Sequence, residues 1–587
     1  MADAVLIPEP RPARFTLPAR FSPLLLASGL VALIVLLPLI ALAAIAAEGS
    51  GDMWPHLIAT VLPNAMMETG LLLLGVGLVT LAVAVPCAWL VATCAFPGRA
   101  VFEWALLLPL AVPGYIVAFS YLDVLHPLGP VQEALRALLG IASPRDLRLP
   151  DVRSTGGCVL VLSAVLYPYV YLSARASFVL QSAAALEVAR TLGASRWRAF
   201  LKVGLPLARP AIVAGLTLVL LETLGDIGAS EFLGVRTLTV SIYTTWVNRS
   251  NLPGAAQIAL VMLTLVLALI LVERAARRAK RFVATGSARP QAPTRLTGLV
   301  GLGAAAFCAV PVTLGFVVPF VHLSISAARR MAETGFPERI FGEAATTALI
   351  ALAATMLALS LGLVVTLAQR LTRAPLASGF ARVASLGYAV PGTVLAVGLL
   401  SPLAGFDNAL DHALRQTFGI STGLIMSGSG AALVLALAIR FLAIPIGGIE
   451  AGFSKLSLHL DMAARSLGSS KPRTVRRIHL PLLRPALATA ALLVFVDAMK
   501  ELPATLLLRP LGLETLATHV YGEAARGTYE DGALAALVIL IVGLGPVILL
   551  ARMSASALRS SAGGARGGGS SSPGGASPEA GSPRSAA

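Results

Sequence analysis

Glycine never precedes lysine in this chain: the five lysines, Lys202, Lys280, Lys455, Lys471 and Lys500, follow Leu, Ala, Ser, Ser and Met. A phosphate-cradling loop needs Gly-Lys-Ser/Thr, so nucleotide binding of that kind is excluded. Cysteine is almost as scarce. Cys87, Cys94, Cys158 and Cys308 form no CxxC pair and fall in or beside apolar runs, which excludes a zinc or redox cluster and reads as free buried thiols. The seven histidines are scattered singly, and no Ser/His/Asp or paired-carboxylate arrangement stands clear of the apolar background, so intrinsic catalysis is not expected. A net charge of +16 invites a nucleic-acid reading. The aromatic interleaving and contiguous basic face that such binding needs are missing.

Apolar length is what the chain has in excess. Hydrophobic residues make up 57% of its 587 positions, more than a soluble core could hide, and the runs reach the roughly 20 residues a helix needs to cross a bilayer. The sequence reads as an all-α polytopic membrane protein with about twelve transmembrane helices. The candidate runs are 23–47, 67–94, 101–125, 156–179, 207–227, 254–273, 299–325, 344–369, 380–402, 430–450, 483–499 and 533–551. Gly or Pro interrupts several of them, which bundled helices tolerate. Arg11, Arg14 and Arg20 precede the first run and Ala44-Ile45-Ala46 resembles a signal cleavage site. The apolar stretch is longer than the about 7–15 residues of a signal core, so it is retained as the first span.

Lysine and arginine set the orientation. With the N-terminus inside, 31 of the 45 basic residues fall on the inner side and 13 on the outer, with Arg440 within a span. Both termini are therefore expected in the cytoplasm. The expected organisation is an N-terminal segment 1–22, a first six-helix half 23–281, a cytoplasmic linker 282–297 holding Pro290 and Pro293, a second six-helix half 298–551, and a Gly/Ser/Pro-rich tail 552–587 expected to be disordered.

The halves repeat. Residues 187–211, EVARTLGASRWRAFLKVGLPLARPA, share a register with 462–486, MAARSLGSSKPRTVRRIHLPLLRPA, at an offset of 275. Gly193, Pro206, Arg209 and Pro210 answer Gly468, Pro481, Arg484 and Pro485. Each copy is a polar, basic loop between apolar runs where a short turn would suffice, which suggests a docking surface for something outside the membrane. A second echo, Ala111-Val112-Pro113-Gly114 and Ala389-Val390-Pro391-Gly392, lies at an offset of 278. Proline and small residues there permit a packing kink or a gate.

Glu-x-Ala-x-x-x-Gly, followed by Leu-Pro thirteen residues after the glycine, resembles the EAA loop of permeases of binding-protein-dependent, type I ABC importers. In that family the loop forms a coupling helix that docks on a cytoplasmic ATPase. The resemblance gives Glu187, Ala189, Gly193 and Pro206 that role in the first copy, and Ala464, Gly468 and Pro481 in the second. Glu187 would favour a helix N-terminus and Gly193 a left-handed cap. The second copy departs from the pattern, with Met462 at the acidic position and Asp461 one place earlier. The likeness runs from about residue 64 to 551, with one transmembrane unit over about 64–273 and another over about 342–551. ETLGDIGASEFLGVRTLTVSIYTTW at 222–246 and DAMKELPATLLLRPLGLETLATHVY at 497–521 are similar to segments of fused ferric-iron uptake permeases; relatives carrying thiamine or aminoethylphosphonate share the architecture. The resemblance implies a bacterial inner-membrane permease with no cofactor of its own, two partner ATPases holding ATP and Mg, and a separate solute-binding protein. A 6+6 secondary transporter or a membrane-embedded enzyme would need coupling-ion sites or a polar catalytic cluster, and the paired loops argue against both.

Glu222 and Asp226, and their echoes Asp497 and Glu501, are each four apart and so share a helix face. An Asp at mid-bilayer costs about 2.5–3.5 kcal/mol on insertion scales, so such groups face a bundle interior or a water-filled path. Two readings stand: contacts along a translocation path or gate, or local structural pairs such as Asp497 with Lys500. For a hard cation the path reading calls for weak attraction and no permanent metal site. The basic asymmetry gives the first prediction. A cysteine placed in 274–297 should react with an impermeant maleimide only from the cytoplasmic side, and one in 408–425 only from the outer side; labelling of both from one face would break the twelve-span reading.

Overall fold

The structure is a computed structural model that describes residues 22–144, 146–147, 149–180, 191–193, 195–278, 293–372 and 374–563. It is built almost wholly of helices, as a chain without water to satisfy its backbone requires. The principal helices are α1 (Pro23–Ala47), α2 (Met53–Thr93), α3 (Gly114–Val124), α4 (Thr155–Leu180), α5 (Leu205–Gly225), α6 (Leu252–Arg278), α7 (Gly298–Thr334), α8 (Arg339–Thr372), α9 (Gly392–Phe418), α10 (Ala431–Phe441), α11 (Ala443–Ser454), α12 (Leu480–Met499) and α13 (Tyr529–Gly563). Among the described residues, ten helices are long and apolar enough to cross a membrane, or up to twelve if each of two bent pairs is one span.

The breaks come from proline. A residue before proline is pushed out of the α region, and Val112 (φ −106°, ψ 119°) and Val390 (φ −84°, ψ 121°) are both extended. A 3₁₀ turn therefore ends at Ala111 and at Ala389, and a new helix starts at Gly114 and at Gly392. The runs expected as single spans at 101–125 and 380–402 are each broken at this motif. In the first, Arg99–Ala111 and α3 meet at 91°. The run at 430–450 is also divided, α10 and α11 meeting at 44°.

The first helix of each half crosses to the other. α1 packs along α9, α8 and α6, while α7 packs along α13, α3 and α2. Close approach is paid for in side-chain size: Gly398 in α9 lies against the Pro38 carbonyl of α1. On the other side Tyr121 donates to the Leu314 carbonyl at 2.9 Å and His322 lies 3.2 Å from Asp123. Both large buried apolar cores consequently draw residues from both halves. The end of the expected linker is ordered too, since Thr294–Arg295 pairs in parallel with Cys94–Ala95. At the other end α13 continues to Gly563, past the 552 boundary where a disordered tail was expected. Cys87, Cys158 and Cys308 are buried free thiols and Cys94 is partly buried.

Gly398 supplies a test of the crossover. A Cβ there would collide with the Pro38 carbonyl oxygen, whereas one at Gly405 in the same helix meets nothing within 4 Å. Gly398→Ala should destabilise the purified protein by about 1–3 kcal/mol, the usual cost of overpacking. Gly405→Ala should be neutral or slightly stabilising. Thermal unfolding in detergent reads the difference.

Candidate functional site

The repeated loops fold alike where both are described. A four-residue helix (Arg196–Ala199, Lys471–Thr474) leads into a π turn (Phe200–Gly204, Val475–His479) and then into α5 or α12. Pro206 and Pro481 stand in the first turn of those helices, where a missing N–H is tolerated; the wide turn before them relieves the clash with the preceding carbonyls. Glu187 and Ala189 lie outside the described residues. Gly193 and Gly468 both hold positive φ, +82° and +75°.

In the second copy the cap is complete. Ser457 starts the helix Leu458–Ser466 by accepting from the His459 N–H. At its end the Gly468 N–H bonds the Arg465 carbonyl at 3.0 Å and the Ser469 N–H bonds the Ala464 carbonyl at 2.9 Å, a paired closure that needs left-handed backbone at Gly468. Ala464 is buried, while Leu467 is 87% exposed and its repeat partner Leu192 is 82% exposed. Trp197 adds another exposed apolar surface beside the first loop. Large apolar side chains on a basic, polar loop mark a surface suited to a partner.

Contacts to neighbouring helices hold the described part of each copy. In the first, Trp89 packs against Phe178 and Phe200, with ring centroids 5.2 and 4.9 Å apart. In the second, Asp461 bridges Arg370 at the end of α8 (2.9 Å) and buried His479 at the head of α12 (2.6 Å). Sequence reasoning noted Asp461 only as a displaced acid. Its partners are 91 and 18 residues away, too far for local pattern to reveal.

At the far ends of α5 and α12 the four acids meet. Glu222, Asp226, Asp497 and Glu501 line one cavity of about 130 Å³, together with Arg440 and Lys500. Asp226 and Glu501 do the same local work. Each follows the end of its long helix and caps the short one after it, Gly228–Phe232 or Pro503–Leu508. Asp226 Oδ1 accepts from the Ser230 N–H at 2.9 Å. Glu501 accepts from the N–H groups of Ala504 and Thr505 at 2.9 and 3.1 Å and from the Thr505 hydroxyl at 2.9 Å. Carboxylates at helix N-termini are stabilised by the unpaired N–H groups there.

Asp497 pairs with Lys500 at 3.0 Å, the local pair foreseen as the structural alternative. Glu222 instead reaches across to the other half, accepting from the Tyr388 hydroxyl at 3.3 Å. The Ala-Val-Pro-Gly repeats belong to the same place. A Cβ on Gly114 would lie 3.5 Å from Asp226 Oδ2, and one on Gly392 would lie 2.7 Å from Glu501 Oε1. The sequence did not foresee Arg440, 3.6 Å from Glu501, or Tyr115 and Tyr388. An arginine inside an apolar run was a usable signal, since such a charge needs a partner. Among the described residues no three His, Cys, Asp or Glu side chains converge as metal ligands, so the cavity offers oxygens and charge without a preformed coordination shell.

Comparison with known proteins gives this geometry a family. Residues 77–281 match the family described as "Binding-protein-dependent transport system inner membrane component". The Fe(3+)-transport system permease protein FbpB 2 of Haemophilus influenzae is 26% identical over 503 residues, covering 84% of this chain and 90% of its own. The molybdenum transport system permease ModB of Escherichia coli K12 is 30% identical over 200 residues, 33% of this chain and 84% of its own. A probable ABC transporter permease, y4fN of Sinorhizobium fredii, is 25% identical over 485 residues, 78% of this chain and 82% of its own. The shorter relative spans about one unit and the longer ones both, in keeping with a chain that carries the unit twice. This multi-pass membrane protein belongs to the inner-membrane permease family of binding-protein-dependent ABC importers, whose members work with an ATPase and a solute-binding protein.

Proposed function

We propose that this chain is the permease of a ferric-iron importer. The observation that carries the cargo assignment is the charge of the central cavity, where four carboxylates face two cations, Arg440 and Lys500. An acidic, confined lining attracts a cation and repels an oxyanion such as molybdate. A relative named for Fe(3+) transport aligns with both halves, while one named for molybdenum transport aligns with a single unit. The absence of a closed ligand shell among the described residues suits a site that must release what it attracts.

On this reading a solute-binding protein delivers cargo at the outer face and two ATPases dock on the two loops in the cytoplasm, with Gly193, Ala464 and Gly468 shaping the docking elements. Each loop is continuous with a helix that carries cavity acids at its other end, α5 with Glu222 and α12 with Asp497. A helix transmits displacement along its length, so drawing the loops together moves the two acid pairs as rigid bodies and switches the cavity between sides.

Two measurements test this. Cells expressing the chain with its ATPase and binding protein, and lacking other high-affinity uptake, should accumulate radiolabelled ferric ion and not molybdate; the reverse result overturns the cargo assignment. For coupling, a β-branched residue at Gly193 and Gly468 disfavours positive φ, and its Cβ would meet no atom within 4 Å. The Gly193→Val, Gly468→Val double variant should insert normally yet lose about tenfold in cargo-stimulated ATP hydrolysis if misdocking costs roughly 1.4 kcal/mol. Unchanged stimulation would remove the loops from coupling.

A further inference from the structure

The acids repeat between the halves, but the cations beside them do not. Under the 275-residue offset Lys500 corresponds to Gly225. Arg440 also lacks a charged twin. Its Nη1 would be struck by a Cβ on Gly392, and the atom nearest a Cβ on the equivalent Gly114 is Leu162 Cδ2, at 3.0 Å. Where the second half has a guanidinium and an ammonium, the first has a leucine and a glycine.

This changes what each acid pair presents to the cavity. In the second half Asp497 is held by Lys500 at 3.0 Å and Glu501 lies 3.6 Å from Arg440. In the first half, among the described residues, neither Glu222 nor Asp226 has a Lys, Arg or His within 4.0 Å; their partners are the Tyr388 hydroxyl and Ser230. A further polar group points to an occupant. Tyr115, only 4% exposed and lining the same cavity, has a hydroxyl with no hydrogen-bond partner.

We infer that the two acid pairs are unequal in transport: the first-half pair, with Glu222 foremost, meets the cargo cation, while Lys500 and Arg440 are built-in counter-cations that neutralise the second-half pair. This rests on the cation-cargo reading above and specifies how that cargo is recognised. Two equivalent acid pairs facing each other across 130 Å³ would hold a trivalent cation strongly. With one pair balanced in charge by Lys500 and by Arg440, whose Nη1 lies 3.6 Å from Glu501 without a hydrogen bond, the cavity attracts the cation from one side and keeps exchange fast. Lys500 and Arg440 then set affinity without touching the cargo.

The test is the concentration dependence of uptake of radiolabelled ferric ion, normalised to assembled complex, in cells carrying the full transporter. Glu222→Gln should raise KM about tenfold, whereas the double variant Asp497→Asn, Lys500→Gln, which removes a pair of zero net charge, should change it by less than about twofold. Lys500→Gln should lower KM about threefold by unmasking Asp497, with a slower maximal rate as release becomes harder. That opposite sign separates the inference from structural damage, which would lower uptake in all three variants without improving KM in any. Glu222→Asp keeps the charge and should restore most of the loss, giving a second reading if Glu222→Gln assembles poorly. Equal KM increases for Glu222→Gln and the Asp497→Asn, Lys500→Gln double variant, or a raised KM for Lys500→Gln, would overturn the inference and leave the iron assignment standing. Molybdate uptake in place of ferric ion by the unaltered protein would overturn the cargo reading and this inference with it.

Discussion

A carboxylate buried among apolar helices must be paired or hydrated, because stranding it costs several kcal/mol, and four carboxylates converge on one cavity of this molecule. Much of the surrounding structure answers that constraint. Asp226 and Glu501 are met by the N-termini of short helices that interrupt what would otherwise be continuous spans. Those short helices need glycine or proline at their starts, Gly228 and Pro503. Gly114 and Gly392 in turn leave room for the carboxylates beside them. The broken helices and the acids are therefore one device, present in each half and closed only when the halves face each other.

The crossover of α1 and α7 makes that meeting durable. Each half contributes its first helix to the other's flank, so neither apolar core is complete without both. Between the short helices the halves also meet through the Tyr388 to Glu222 bond, through Tyr521 donating to Glu231 at 2.7 Å, and through the stacked rings of Phe232 and Tyr521. The second loop, clamped by Asp461 to Arg370 and His479, is tied to α8 and α12 by charge, and among the described residues of the first Phe200 packs on Trp89.

The class, the two repeated halves and most of the helices were legible in the sequence, because apolar length and repetition at a fixed offset are one-dimensional signals. The repeat also located all four cavity acids and the two positive-φ glycines, since spacing at a fixed offset survives without knowledge of the fold. What escaped was set by contacts between distant segments. The ends of runs 101–125 and 380–402 were apolar enough to read as spans, and the turn at Val112 and Val390 was visible only as an option beside proline. Arg440 is 61 residues from Glu501 in sequence, and Tyr388 is 166 from Glu222. The crossover of α1 and α7 left no trace in composition, as an apolar helix carries no label for which neighbour it will choose. The strand pairing of Thr294–Arg295 and the helical extension to Gly563 escaped because Pro- and Gly-rich composition around them argued for irregular chain.

On the proposed reading, the cavity is closed by the two halves meeting across it and is opened when the paired loops are drawn together. Gly225 at the end of α5 and Pro391 before α9 report on that seam, since a Cβ on Gly225 would lie 3.9 Å from the Cβ of Pro391, within the range a disulfide needs. In a cysteine-free background, Gly225→Cys with Pro391→Cys should cross-link rapidly in the assembled transporter without nucleotide, and the yield should fall sharply when ATP is trapped on catalytically inactive ATPase subunits. Equal cross-linking in both states would show that the seam does not open when ATP is bound.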